Sequence, residues 1–205
     1  MDTKLPSDLD TQVLAITASF LPYVGGPISN VLNGIGSQRK FKRVKECLSE
    51  LAEQIRDFES DLSKKYVRTE DFEEILEKTL RRVLDEHDSS RRLFYANFLA
   101  TVITCPDGGY DEQEQVMSIA GKLSESDLTL LRVYSTQPPS VEESAMWAVN
   151  TAIHLNKRSL TKREFEALLR EAVDRLAGLR LLNKLEGVLH VSELGKNVLR
   201  YLVKP

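Results

Sequence analysis

The chain has 205 residues, of which 41% are hydrophobic and 29% are charged. This composition is ordinary for a globular protein, and it excludes collagen, low-complexity disorder and a disulfide-rich scaffold. Twenty-eight basic against 31 acidic residues give a net charge of -3, which disfavours a general nucleic-acid binder. No Cys/His metal cluster, nucleophile motif or glycine-rich nucleotide loop occurs, so we expect neither enzyme activity nor a cofactor.

The two cysteines and the first residues bear on the cellular compartment. Cys47 and Cys105 are far apart in sequence, and we expect two reduced thiols in a cytosolic protein, with a disulfide between them as the alternative. The opening residues MDTKLPSDLD lack the basic-then-apolar order of a signal peptide. We therefore expect a cytoplasmic protein, with peripheral membrane association left open.

The first predicted helix covers residues 7–21 and begins at Ser7, with Asp10 as the capping-box acid. It runs into a stretch of 28 residues, 11–38, that contains no charged side chain and is called the charge-free segment below. Its length would span a bilayer, but prolines and glycines interrupt it. Two buried helices joined by a turn are one interpretation, and a conditionally exposed, membrane-seeking hairpin is the other.

A basic segment follows directly and contains five cations within seven residues: Arg39, Lys40, Lys42, Arg43 and Lys45. Cations at this place attract anionic lipid headgroups or a protein partner. They are equally typical of the solvated face of a helix.

The strongest periodic pattern starts inside the basic segment. Seven apolar residues alternate at spacings of three and four: Phe41, Val44, Leu48, Leu51, Ile55, Phe58 and Leu62. This heptad pattern predicts a long helix with a narrow apolar seam, preceded by a break at the glycines of residues 34–36. The seam packs either inside a bundle of the same chain or in a homodimeric coiled coil.

The rest of the first half predicts three further helices. Thr69, followed by two acids, caps a helix that buries Phe72 and Leu76. A broadly apolar helix over residues 91–104 is expected to be central, and a shorter helix over residues 111–123 follows the turn after Cys105. The acidic turn at residues 85–88, flanked by arginine pairs, predicts ion pairing, with His87 at the surface.

The second half predicts a helix over residues 124–135 and two more helices opened by capping boxes at Ser140 and Thr161. Gly178 ends the last of these. Short strands at residues 181–184 and 188–191 and a final helix capped by Ser192 complete the chain. A basic cluster before the helix that follows Thr161 is a candidate for phosphate contact: Lys157, Arg158, Lys162 and Arg163.

Residues 176–202, LAGLRLLNKLEGVLHVSELGKNVLRYL, resemble the end of a winged-helix domain in their order of helix, glycine, short hairpin and capped helix. The resemblance covers residues 124–205 and implies DNA binding through the helix before the hairpin. That helix departs from the family, because residues 162–177 carry four basic and four acidic side chains. A helix that reads bases presents a basic, amide-rich face.

Residues 21–55, LPYVGGPISNVLNGIGSQRKFKRVKECLSELAEQI, resemble bacterial all-helical proteins of abortive infection, in which a glycine-rich apolar start precedes a long helix. In design they are also similar to the membrane-active helical domains of cell-death effectors. Both resemblances imply a defence-related effector that acts by contact rather than by catalysis.

The sequence predicts an all-α fold, with a helical bundle over residues 1–123 and a winged-helix-like domain with a short hairpin over residues 124–205. The leading hypothesis is a non-enzymatic interaction or effector protein with a protein partner or a second copy of itself, and with a membrane surface as a further contact. The alternative is a DNA-binding transcriptional regulator that uses the C-terminal domain, with the bundle for dimerisation.

Overall fold

A computed structural model of the chain describes residues 28–55 except 29 and 34, together with residues 65–136, 162–185 and 188–203. These residues are mainly helical with a short antiparallel hairpin near the C-terminal end, which confirms the all-α fold class. The helix predicted over residues 7–21, the helix after Ser140, and the side chains of Phe58, Leu62, Lys157 and Arg158 lie outside the described residues.

The chain divides into two compact units, Met1–Met117 and Ser118–Pro205. The described residues of the first unit include α1 (Gln38–Ile55), α2 (Glu70–Asp85), α3 (Ser89–Thr104) and the start of α4 (Tyr110–Ala120). Ile28 and residues 30–33 are also helical, whereas residues 35–37 are not, so the predicted break before the long helix is confirmed.

Both α2 and α3 begin at side-chain caps that the sequence encodes locally. The Thr69 hydroxyl accepts a hydrogen bond from the backbone N–H of Phe72 at 3.3 Å, and the Asp88 carboxylate accepts one from Ser90 N–H at 2.8 Å. Because Asp88 is the cap, α3 starts at Ser89, two residues earlier than predicted. Each cap satisfies a backbone donor that has no partner within its helix.

Helix α3 is the centre of the first unit, as its composition predicts. Ten consecutive residues, 94–103, are buried, and the helix packs against both α1 and α2. The adjacent Leu93 is 42% exposed, so the apolar surface of α3 starts one residue later than the sequence suggests. A helix that is apolar on all sides is stable only when it is enclosed.

Helix α4 is attached to α2 by polar contacts as well as by burial. The Lys78 ammonium donates to the Tyr110 hydroxyl at 2.7 Å and to the Glu114 carboxylate at 2.5 Å. On the buried side, the Thr79 hydroxyl lies 3.2 Å from the Met117 sulfur. These contacts hold α4 to α2 at a half-buried position, Lys78, and at a buried position, Thr79.

The second unit places a hairpin between helices in the order α5 (Glu125–Thr136), α6 (Lys162–Gly178), β1 (Leu182–Leu185), β2 (Val188–Val191) and α7 (Glu193–Leu202). The strands pair antiparallel, with Leu182 opposite Val191 and Leu185 opposite Val188. The predicted hairpin is confirmed, although its first strand is shifted by one residue.

A Schellman motif follows the end of α6, and its left-handed residue is not a glycine. Arg180, with φ of 60°, is the left-handed residue, while Leu181 N–H donates to Leu176 C=O at 2.9 Å and Arg180 N–H to Ala177 C=O at 2.9 Å. Gly178 is the last residue of α6, so the predicted end of this helix is confirmed. The arrangement directs the chain back into β1.

The Leu181 carbonyl joins the end of α6 to the start of α7. It accepts a hydrogen bond from Ser192 N–H at 3.0 Å, and Ser192 in turn caps α7 by accepting from Gly195 N–H at 3.0 Å. A Cβ on Gly195 would lie 2.5 Å from the same carbonyl oxygen. Glycine at this position therefore allows α7 to approach the turn after α6.

Candidate interaction site

The basic segment occupies the first two turns of α1. The first of these turns contains no acidic residue. The N-terminus of a helix carries a partial positive charge, so cations there are unfavourable by about 0.3–1 kcal/mol at an exposed site. Arg39, Lys40 and Lys42 are exposed, whereas Arg43 and Lys45 are half-buried. The side chains of this segment therefore work against the helix dipole and depend on other charges for compensation.

Two of the five cations are bound to the end of α2 and to the connection that follows it. The Lys40 ammonium lies 2.6 Å from the Asp85 carboxylate. The Arg43 guanidinium donates to Leu84 C=O at 2.8 Å, and its other terminal nitrogen lies 2.9 Å from His87 Nδ1. These contacts join the start of α1 to residues 84–87.

The Lys40–Asp85 pair is an exposed one. The hydrogen bond from Lys40 is the main cause that lowers the pKa of the Asp85 carboxyl, followed by the positive charge of Lys40 itself. Since the two side chains are 46% and 75% exposed, solvent screens the pair, and its contribution to stability is small. It positions the start of α1 more than it stabilises the fold.

A second set of contacts joins α1 to α3. The Arg92 guanidinium lies 3.0 Å from the Glu46 carboxylate and donates to the carbonyls of Glu86 and His87 at 3.3 Å and 3.0 Å. Lys42 lies 3.7 Å from the other oxygen of Glu46, but its side chain is 77% exposed. Lys42 and Arg39 are therefore accessible from solvent in the folded chain.

The apolar seam of α1 packs against the chain's own helices over the described residues. Val44, Leu48, Leu51 and Ile55 are buried, Phe41 is half-buried, and α1 contacts α2 and α3. The intramolecular interpretation therefore holds for residues 41–55.

Both cysteines are free thiols in very different surroundings. Cys47 is buried beside the seam, and burial raises the pKa of its thiol to about 12, whereas Cys105 is exposed. A thiol held in the protonated form is a poor nucleophile and a poor metal ligand, so Cys47 is a packing residue.

The predicted phosphate-contacting cluster is described only at its end. Lys162 is the first residue of α6, and the Arg163 side chain next to it is exposed. The exposed side chains of α6 include acids beside the cations, for example Glu166 and Glu171 near Arg170. The described part of this surface therefore lacks the one-sided positive charge that phosphate binding favours.

The hairpin exposes two polar residues and one apolar residue to solvent on the same face. Asn183 lies opposite His190 in the strand register, and Leu185 is on the same side of β1 as Asn183. All three are exposed, and Leu185 is 60% exposed.

Sequence reasoning missed a buried ion pair in the second unit. The Asp127 side chain is completely buried, and its oxygens accept from Ser124 N–H at 2.8 Å and from Arg175 Nη2 at 3.0 Å. The available signal is the capping-box spacing of Ser124 and Asp127, but the pairing with Arg175, 48 residues away, leaves no trace in the sequence. The pair connects α5 to α6.

Comparison with protein-family models, with curated protein sequences and with solved structures finds no match to this chain. Within the described residues, no three His, Cys, Asp or Glu side chains are grouped closely enough to hold a metal ion. In the same part of the chain, the helices are too short or too polar to cross a bilayer.

Proposed function

We propose that the protein is a non-enzymatic interaction or effector protein that binds an anionic membrane surface through its charge-free segment and the adjoining basic segment. The observation that carries the proposal is the cation-rich start of α1, directly after 28 residues without charge. These cations are unfavourable beside the positive end of the helix dipole. A sequence that departs from a local stability rule in this way is typical of a functional surface.

Two arguments favour membrane contact over a purely structural role for these cations. Arg39 and Lys42 are exposed and can reach headgroup phosphates without unfolding α1. The apolar side chains before them would add burial in the interface, since anchoring by charge alone is weak and two signals are needed for stable attachment. The buried seam of α1 leaves the helix itself packed in the bundle while its first turns act as the contact.

The test is flotation with vesicles that contain either 30% phosphatidylserine or phosphatidylcholine alone. The variant Arg39→Glu/Lys42→Glu changes two exposed cations, and Arg132→Glu/Arg170→Glu makes the same charge change on exposed residues of α5 and α6. Each cation near an anionic surface contributes about 1 kcal/mol, so the first variant is expected to lose at least about 30-fold in vesicle affinity. The second is expected to bind like the wild type; equal losses in both variants, or no binding by the wild type, would refute the proposal.

We also propose that residues 124–205 form a winged-helix-like domain and that residues 1–123 form a helical bundle. The order α6, β1, β2, α7 supports this assignment, because a helix followed by a hairpin and a capped helix is the arrangement that the resemblance implies. The alternative function, a DNA-binding regulator, is favoured by Lys184 and Arg163 on exposed surfaces and opposed by the mixed charge of α6. A gel shift with random duplex at low salt decides it, since a binder at micromolar concentration retards the duplex through non-specific phosphate contacts alone.

The resemblance of residues 21–55 to abortive-infection proteins supports a defence role for the same contact. In this proposal a phage challenge triggers membrane contact, with a protein partner or a second copy of the chain controlling exposure of the charge-free segment. Plating efficiency of phage on cells that express the wild type or Arg39→Glu/Lys42→Glu tests it. Protection by the wild type and not by the variant is expected, and equal plating on both would refute the defence role.

A further inference from the structure

The contact between Arg43 and His87 fixes the protonation state of the imidazole. A guanidinium has only donors, so at 2.9 Å from Arg43 Nη2 the His87 Nδ1 atom accepts the hydrogen bond. A protonated imidazole has a donor on both nitrogens and accepts none. The contact therefore requires His87 to be neutral, with its proton on Nε2.

The charged groups around His87 come from each element that packs at this place. Asp85 ends α2 and interacts electrostatically with His87, and Glu86 and Asp88 flank it in the connection. Arg43 reaches it from α1, and Arg92 from α3 donates to its carbonyl. Asp85 and Glu86 are in turn paired, with Lys40 at 2.6 Å and with Arg91 at 3.5 Å. Acids are thus available to stabilise a positive imidazole, while Arg43 opposes it.

We propose that the Arg43–His87 contact is a proton-sensitive latch on the basic segment, an inference that rests on the proposed membrane function. When Nδ1 takes up a proton from solvent, Arg43 Nη2 loses its acceptor, while Nη1 keeps the Leu84 carbonyl, and two cations face each other at the former hydrogen-bond distance. This repulsion loosens the start of α1 from residues 84–87, where the Lys40–Asp85 and Arg43–Leu84 contacts remain, and Arg43 becomes more available to an anionic surface beside Arg39 and Lys42. The latch would open on acidification, because only a proton on Nδ1 removes this acceptor.

The first test follows the latch without any membrane. Hydrogen–deuterium exchange of a peptide covering residues 38–45 is measured at pH 5.5 and 7.5, each corrected for the intrinsic exchange rate. We expect faster corrected exchange at pH 5.5 in the wild type and no difference between the two pH values in His87→Gln, which keeps an acceptor and takes up no proton. His190→Gln removes an exposed histidine from β2 in the other unit and is expected to behave like the wild type.

A second variant imitates the open latch, in which residue 87 carries a positive charge. His87→Lys places a permanent cation beside Arg43, so corrected exchange is expected to be fast at both pH values. Equal pH dependence in the wild type and His87→Gln would overturn the latch, as would slow exchange in His87→Lys.

The membrane arm separates the latch from the function on which it rests. With vesicles containing 30% phosphatidylserine, one additional available cation should raise wild-type affinity about fivefold at pH 5.5 over pH 7.5. In His87→Gln this gain should be absent, while His190→Gln should retain it. A gain that persists in His87→Gln overturns the latch alone. The expected exchange pattern without vesicle binding at either pH overturns the membrane function and leaves the Arg43–His87 switch supported.

Discussion

Replacing Gly195 by alanine has two opposite effects on the free energy of unfolding, and each can be estimated. Gly195 is the third residue of α7 after the Ser192 cap, and alanine within a helix is favoured over glycine by about 1 kcal/mol. The added Cβ would lie 2.5 Å from the Leu181 carbonyl oxygen and 2.7 Å from a methyl carbon of Val191. The methyl group can rotate away, but the carbonyl belongs to the backbone and accepts a hydrogen bond from Ser192 N–H at 3.0 Å.

The steric effect is expected to dominate. Overpacking typically costs about 1–3 kcal/mol, and weakening the Ser192–Leu181 hydrogen bond costs about 1 kcal/mol more. After the gain in helix propensity is subtracted, Gly195→Ala should destabilise the protein by about 1–3 kcal/mol. With a urea m value of about 2 kcal/mol/M, the midpoint followed by circular dichroism at 222 nm falls by about 0.5–1.5 M.

Gly178→Ala is the matched control for this measurement. Gly178 is also helical, but a Cβ there meets no atom within 4 Å. The same substitution should therefore leave stability unchanged or raise it by up to about 1 kcal/mol. If Gly195→Ala unfolds at the same urea concentration as Gly178→Ala, the close approach of α7 to Leu181 is wrong.

Three further outcomes follow from individual side chains. Asp127→Ala should lower the free energy of unfolding, measured in urea, by about 2–3 kcal/mol. This loss is smaller than that expected for a fully enclosed ion pair, because the Arg175 side chain is 38% exposed. Thiol-labelling reagents at pH 8 should modify Cys105 rapidly and Cys47 only after unfolding, since with a pKa of about 12 the Cys47 thiolate fraction there is about 10⁻⁴. Thr69→Ala should lower the free energy of unfolding by about 1 kcal/mol through loss of the α2 cap, and Thr69→Ser should restore most of it.

Specific results would contradict each of these expectations. An Asp127→Ala chain as stable as the wild type would mean that the buried carboxylate makes no net contribution. Equal labelling rates for the two thiols in the folded chain would place Cys47 at the surface. Unchanged stability in Thr69→Ala would mean that its hydroxyl does not cap α2 in solution.

Features that depend on neighbouring residues were predictable from the sequence. Thr69 and Ser192 lie within three residues of the amides that they cap, and the break at residues 35–37 follows from local glycines. The buried side chains of α1 were predictable as well, because helical spacing alone places Val44 and Leu48 on one face. In these cases the local pattern and the local structure agree.

Contacts between distant residues were not predictable. Arg43 and His87 are 44 residues apart, and Asp127 and Arg175 are 48 apart. Periodicity indicates which face of a helix is buried, but it does not indicate which charge on another helix lies opposite. The end of α6 at Gly178 was predictable, whereas the left-handed residue that follows it, Arg180, is not marked by a glycine in the sequence. A non-glycine residue in that conformation costs about 1–2 kcal/mol, which the packing of the hairpin compensates.

The backbone hydrogen bonds of Leu181 have a consequence for how the C-terminal unit opens. Its N–H donates to the last turn of α6 and its C=O accepts from Ser192, so two successive peptide groups at one residue link a helix terminus, the start of a strand and the cap of the next helix. Such shared bonding favours concerted opening over fraying from the tail, and slow amide exchange at Ser192 should vanish together with that of Leu181. Deleting α7 would remove the buried side chains of Val198, Tyr201 and Leu202 as well, so a tag or a truncation is better tolerated after Val203 than before Ser192.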